Sequence, residues 1–163
     1  MVSFALLHRL LRGIGGRNRR KSFPVYSGSK IELDLERRFP RSRDPKTIID
    51  FVDEENRKVL GLANAVEKSI NALNKSSDRL KTKENLHEEL RLLGEWESLY
   101  SHGSKLFDMS ISQLGAPVAF GTANESYRNI LRELSEAGDK YDSELKKIRA
   151  RSEEVIALLR KFE

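Results

Sequence analysis

The sequence predicts an all-α protein, built as a long helical hairpin or a three-helix bundle with coiled-coil-like seams. Apolar residues recur at alternating spacings of three and four over long stretches, as they do in helices packed against helices. Charged residues make up 34% of the chain and aromatic residues 7%, a balance that favours long helices with narrow apolar stripes. Residues 46–115 and 122–163 contain no proline, the residue that breaks helices.

Residues 1–12, MVSFALLHRLLR, are predicted to form a basic amphipathic arm. On a helix their apolar side chains share one face, while His8, Arg9 and Arg12 fall mostly to one side. The first acidic residue of the chain is Glu32, and seven Lys and Arg residues precede it. The remaining 132 residues hold 23 basic and 25 acidic residues, so the net charge of +5 belongs to the N-terminal region.

Residues 13–45 are predicted to be a Pro/Gly/Arg-rich linker, extended or disordered. The segment contains a glycine-rich hinge at 13–16 and three prolines, Pro24, Pro40 and Pro45. Proline cannot continue a helix, and the residue before it avoids helical dihedral angles. The helical body is therefore expected to begin at about residue 46.

Residues 46–163 are the predicted bundle, with helices at about 46–74, 83–114 and 123–162. Asp44 before Pro45 is typical of a helix cap followed by the first turn. Asn56 lies on the seam of the first helix, where it either fixes the register against a partner or belongs to a solvated first turn. The seam residues of this helix are Ile49, Val52, Asn56, Val59, Ala63, Val66, Ile70 and Leu73.

The second and third helices differ in the width of their apolar stripes. The second has the wider stripe and is expected to be the most buried helix. The third, with Asn124 or Ser126 as its N-cap, keeps a 3.5-residue repeat that favours association with a partner helix, from a second copy or another protein. Its predicted association seam comprises Leu131, Leu134, Tyr141, Leu145, Ile148, Val155 and Leu159.

The sequence carries little that indicates catalysis. It contains no cysteine, and His87 lacks the second histidine four residues on that a metalloprotease helix needs. We therefore expect no enzyme, no metal site and no cofactor, with histidines at the surface. The acidic runs 53–55 and 88–89 are interpreted as solvated helix faces.

The arm indicates a binding function. A basic amphipathic helix lies in the headgroup plane of a bilayer, with its apolar face buried and its arginines on anionic lipid. We therefore expect a non-enzymatic, self-associating helical scaffold that is cytoplasmic and binds membranes peripherally. The residues expected to contact the membrane, or another polyanion, are Phe4, Leu6, Leu7, Arg9, Leu10, Leu11, Arg12, Arg17, Arg19, Arg20 and Lys21.

Two alternatives fit the same arm. Mitochondrial presequences are also amphipathic, rich in arginine and poor in acids, which predicts an imported helical accessory subunit of a larger assembly. A basic arm also binds nucleic acid through counterion release. Only Phe23 and Tyr26 accompany the arginines as platforms for base stacking, which makes this second alternative the weaker one.

Residues 86–150 resemble the opening half of a BAR domain, particularly of the arfaptin type. The resemblance lies in LHEELRLLGEWESLYSHGSKLFDMSISQLG, a break at APVAFGTAN, and the helix ESYRNILRELSEAGDKYDSELKKI. An amphipathic helix ahead of the bundle is similar to that of the N-terminally extended BAR proteins. The resemblance implies a dimeric, crescent-shaped membrane-binding module. The aromatic, leucine and glycine residues that carry it are Tyr100, Gly103, Leu106, Leu114 and Gly115.

Overall fold

The computed structural model describes residues 35–77, 82–115 and 124–163. Within them the chain forms three long helices, α1 (Pro45–Ser77), α2 (Lys83–Leu114) and α3 (Glu125–Leu159), and residues 35–38 are helical as well. A 3-10 turn, Arg160–Phe162, follows α3. These three ranges contain no strand. The predicted all-α fold class is confirmed, in its three-helix form.

The helix bounds lie close to those expected from the sequence. α1 continues past residue 74 to Ser77, and α2 covers 83–114. α3 begins at Glu125, and the 3-10 turn that follows it reaches Phe162. The proline-free stretches therefore mark the helices well, because proline is tolerated only at the first turn of a helix.

Side-chain caps begin each helix. Asp44 Oδ2 accepts hydrogen bonds from the Thr47 backbone nitrogen at 3.3 Å and from its hydroxyl at 2.9 Å, directly before Pro45. Thr82 caps α2, and Asn124 caps α3 by accepting from the Tyr127 backbone nitrogen at 2.9 Å. Of the two N-caps predicted for the third helix, Asn124 is the one used. Such caps satisfy backbone donors that have no partner inside the helix.

The helices run up, down and up, with α2 packed against both α1 and α3. Two apolar layers show this arrangement, since each combines the start of one helix with the end of the next. The first layer joins the start of α1, the end of α2 and the start of α3, with Ile48, Val52, Leu106, Phe107, Leu114 and Leu134 among its buried residues. The second layer contains Ile70, Leu86, Leu92, Leu93, Ile148 and Val155.

Asn56 joins α1 to α3 inside the bundle. It is 3% exposed, and its Oδ1 accepts a hydrogen bond from the Tyr141 hydroxyl. Burial raises the pKa of Tyr141 well above its usual range, so the hydroxyl keeps its proton and donates. The Tyr141 ring lies 5.1 Å from the ring of Tyr100 and 5.7 Å from that of Phe107. Of the two interpretations of Asn56, the structure supports the fixing of register.

Residues 35–44 are not the extended or disordered linker that the sequence predicts for 13–45. Leu35 is fully buried, and the Phe39 backbone nitrogen donates to the Leu35 carbonyl at 2.9 Å, closing one helical turn. The Phe39 ring meets Phe51 of α1 edge-on, with centroids 5.3 Å apart. The prediction is wrong here because proline stops a helix but does not prevent apolar side chains from packing. The rest of that linker and the arm at 1–12 lie outside the described residues.

Candidate functional site

Residues 35–44, referred to below as the strap, lie across α1 and α2 ahead of the first helix. The Lys105 ammonium of α2 bonds the Glu36 carboxylate at 2.8 Å, and the Gln113 amide donates to the Ser42 carbonyl at 2.9 Å. The strap holds four basic and two acidic residues, whereas residues 45–163 hold 19 basic and 21 acidic. Positive charge is thus concentrated on a short segment that is held at both of its ends.

The anchor of the strap is a buried carboxylate, Glu55 of α1. Its side chain is 4% exposed, and Arg38 of the strap grips both of its oxygens, with Nη2 3.0 Å from Oε2. The Lys58 ammonium lies 3.3 Å from Oε1, and His102 Nε2 of α2 lies 3.5 Å from Oε2. One carboxylate therefore ties together the strap, α1 and α2, with the bidentate geometry in which an arginine holds a carboxylate best.

Burial and the neighbouring positive charges shift the pKa of Glu55 in opposite directions. Burial by itself raises the pKa of the carboxyl, but the Arg38 guanidinium and the Lys58 ammonium outweigh it and hold the pKa below its usual value. Glu55 is therefore charged at neutral pH, and its contribution to stability is lost only as the pH falls through that lowered pKa.

His102 is kept neutral by its surroundings. Burial lowers the pKa of the imidazole, and the nearby Glu55 carboxylate opposes that shift only in part. A neutral ring that faces a carboxylate carries its proton on Nε2, which leaves Nδ1 as an acceptor. Nδ1 is buried and has no hydrogen-bond partner in the part of the chain that the structure describes.

The buried His102 predicts a loss of stability in weak acid. Below the ordinary imidazole pKa of 6.5 the unfolded chain takes up a proton that the folded protein accepts only at lower pH. We expect the melting temperature to fall between about pH 7.5 and pH 5, and to fall less in His102→Gln. Thermal unfolding followed by circular dichroism over that range measures the effect.

His87 provides the control for this prediction, because it lies on the exposed side of the same helix. His87→Gln is expected to keep the wild-type pH dependence. Parallel pH profiles for His102→Gln and the wild type would show that His102 is not the group responsible.

The strap also carries three arginines that do not bond to the bundle. Arg37, Arg41 and Arg43 are exposed, as is Arg38, but of these four arginines only Arg38 has a buried partner. The other three form no ion pair or hydrogen bond with any residue in 35–77, 82–115 or 124–163. Their charges are therefore available to an anionic partner.

A second set of polar contacts holds α2 against α3. Arg149 bonds Glu97 at 2.7 Å, and Arg151 bonds the buried Glu89 at 2.8 Å. The Ser104 hydroxyl of α2 donates to Asp142 of α3 at 2.6 Å. These contacts flank the apolar seam between the two helices, so they fix the pairing of α3 with α2.

The predicted association seam is occupied within the chain. Five of its residues are buried on the inner side of α3, and Leu131 and Leu159 are partly buried beside the two apolar layers. α3 packs along α2 of the same chain. The buried five are Leu134, Tyr141, Leu145, Ile148 and Val155.

The predicted membrane-contact residues all lie in the arm region, outside the described residues. The structure therefore places none of Phe4, Leu6, Leu7, Arg9, Leu10, Leu11, Arg12, Arg17, Arg19, Arg20 and Lys21.

Several buried polar residues contradict the interpretation of acids and histidines as surface groups. Asp53 and Glu55 are buried, whereas Glu54 between them is exposed. Consecutive positions on a helix point in different directions, so the three acids do not share one solvated face. Glu89 is likewise buried against Arg151, and His102 is 2% exposed.

The described residues offer no cluster of three or more side chains suited to holding a metal ion. None of the three helices is long and apolar enough to cross a membrane. Comparison with protein families, with characterised proteins and with solved structures finds no match.

Proposed function

We propose that this chain is a non-enzymatic, peripheral membrane-associating scaffold, in which the basic amphipathic arm docks on anionic lipid and the three-helix bundle is the part held there. The observation that carries the proposal is the charge distribution. Seven basic residues precede the first acidic one, and the strap then brings four basic residues onto a bundle that is otherwise slightly acidic. Such a molecule is attracted to an anionic surface through one region only.

The arm supplies both interactions that stable attachment needs. Its apolar face enters the boundary between headgroups and acyl chains, and each basic residue near an anionic leaflet adds about 1 kcal/mol. Arg17, Arg19, Arg20 and Lys21 follow the apolar face directly. Either interaction alone gives weak, reversible binding, and the two together give a useful affinity.

The bundle supports the role of scaffold. Its seam residues are buried and its buried polar groups are mostly bonded across helices, which makes it a firm body rather than a set of loose helices. In this proposal the bundle is the helical module that lies against the membrane, as the resemblance to BAR domains implies. Self-association would use surfaces other than the α3 seam, such as the one around Ile156 of α3 and Phe162 of the 3-10 turn, the large apolar residues that are exposed in the described part of the chain.

A substitution on the apolar face of the arm tests the proposal. We expect Leu10→Asp to weaken binding to phosphatidylserine-containing vesicles by about 100-fold or more, because it removes about 2 kcal/mol of apolar burial and adds a repelled charge. Helical content should be unchanged. Vesicle co-sedimentation and circular dichroism measure the two quantities.

Asn18→Asp is the matched control, since it makes the same charge change in the arm region without touching the apolar face. It is expected to cost only about fivefold in affinity. Vesicle binding that survives Leu10→Asp would refute docking through the arm.

The imported accessory subunit is the second candidate, favoured by an N-terminal region with many arginines, several serines and no acidic residue before Glu32. The two candidates predict different masses for the protein isolated from its native cell. A mass near 18.7 kDa would mean that the mature protein retains the arm. A mass lower by that of the arm would mean that the arm is a cleaved targeting sequence.

A further inference from the structure

The exposed arginines of the strap differ from the other charged groups near them. The two acidic residues of the strap are already engaged, Glu36 by Lys105 at 2.8 Å and Asp44 by the Thr47 hydroxyl at 2.9 Å. Arg37, Arg41 and Arg43 remain without partners among the described residues. The strap therefore presents positive charge that the bundle itself does not neutralise.

These arginines are also held in place. Leu35 is buried in the first apolar layer, Arg38 is bonded to the buried Glu55, and the Ser42 carbonyl accepts from Gln113 near the end of α2. The strap runs from the level of Glu55 to the end of the bundle where α1 begins. Its charges consequently have a fixed position relative to the helix axes.

We propose that the strap arginines are a second lipid-docking surface, which sets the orientation of the bundle with the start of α1 and α3 towards the anionic membrane. The inference rests on the proposed function and adds an orientation to it. A membrane is favoured over nucleic acid because the sequence of residues 1–12 predicts an apolar helix face ahead of the strap, which lipid can bury and a phosphate backbone cannot.

Charge removal in the full chain tests the affinity. Arg37→Gln, Arg41→Gln and Arg43→Gln together are expected to weaken binding to vesicles of phosphatidylcholine and phosphatidylserine by about 100-fold, at about fivefold per arginine. The matched control neutralises three exposed basic residues, Lys146 in the second half of α3 and Arg160 and Lys161 in the 3-10 turn that follows it. It is expected to change binding by less than about fivefold, and equal losses in the two triple variants would overturn the inference.

Spin labels test the orientation directly, and the chain has no cysteine to interfere with single labels. Ser126→Cys and Ala157→Cys place labels on exposed positions of α3, about 46 Å apart along the helix. On phosphatidylserine vesicles containing a nickel-chelating lipid, the label at 126 should relax strongly and the label at 157 should not.

The outcomes separate the two proposals. Equal relaxation at both positions on bound protein would overturn the orientation and leave docking by the arm intact. Failure of the wild type to bind the vesicles would remove both proposals. If the strap variant binds vesicles normally but loses affinity for a single-stranded RNA homopolymer, the surface is a nucleic-acid site and the inference is wrong.

Discussion

Gly103→Ala is expected to destabilise the bundle by about 1–3 kcal/mol, even though alanine is the better helix former. A methyl group at this position would lie 2.5–2.9 Å from three ring carbons of Tyr141. The ring has little room to withdraw, because it packs against Tyr100 and Phe107 and its hydroxyl is bonded to Asn56. The added methyl must therefore push α2 away from α3 or break the Asn56 bond.

Gly94 is the matched control, since it lies inside the same helix, is exposed, and has nothing within 4 Å of an added methyl group. Gly94→Ala is expected to stabilise the protein by about 0.5–1 kcal/mol through helix propensity alone. Urea unfolding of both variants measures the opposite signs. Stabilisation by both substitutions would mean that Tyr141 does not cover Gly103, and the register of α2 against α3 would then be wrong.

The helices were predictable because their signals are local. The absence of proline, the recurring spacings of three and four, and caps such as Asp44 and Asn124 all lie within or beside the segment that they describe. The seam of α3 illustrates what such local signals cannot predict, namely the identity of the partner helix. A 3.5-residue stripe shows that a helix packs against another helix, but the stripe is the same whether the partner is α2 of the same chain or a second molecule.

The strap was missed because its two apolar contacts are too few to form a pattern. Leu35 and Phe39 stand among arginines and prolines, and no periodic signal links them to the bundle. Only the tertiary structure shows that Leu35 is buried and that Arg38 reaches Glu55.

The burial of Glu55 and His102 could have been predicted from their spacing in the sequence. Glu55 stands three residues after Val52 and four before Val59, two residues of the predicted α1 seam. His102 stands in the same relation to Leu99 and Leu106 on α2. Spacing therefore places both on inward faces, although it does not show that they meet each other.

Arg38→Ala is expected to destabilise the protein by about 2–3 kcal/mol at neutral pH. Removing one partner of a buried ion pair leaves the other charge uncompensated, which typically costs 3–5 kcal/mol. The estimate is lower here because Arg38 is itself 43% exposed and Lys58 remains 3.3 Å from Glu55. The strap should also loosen, since it loses its bond to α1.

The pH dependence of this loss follows from Glu55. Without the guanidinium, burial is opposed mainly by Lys58, so the pKa of Glu55 rises relative to the wild type. The carboxyl then becomes neutral at a higher pH, and a protonated Glu55 no longer needs a cationic partner. The difference in unfolding free energy between Arg38→Ala and the wild type should therefore shrink as the pH falls towards about 4.

Arg37→Ala is the adjacent control, because Arg37 is exposed and has no partner in the described ranges. It is expected to change the unfolding free energy by no more than about 0.5 kcal/mol. Urea unfolding at neutral pH and near pH 4 distinguishes the two arginines, and hydrogen exchange of the Phe39 amide reports on the strap, since that amide donates to the Leu35 carbonyl. Equal stability of the two variants, with Phe39 equally protected, would mean that Glu55 is not the anchor and that apolar packing by Leu35 holds the strap.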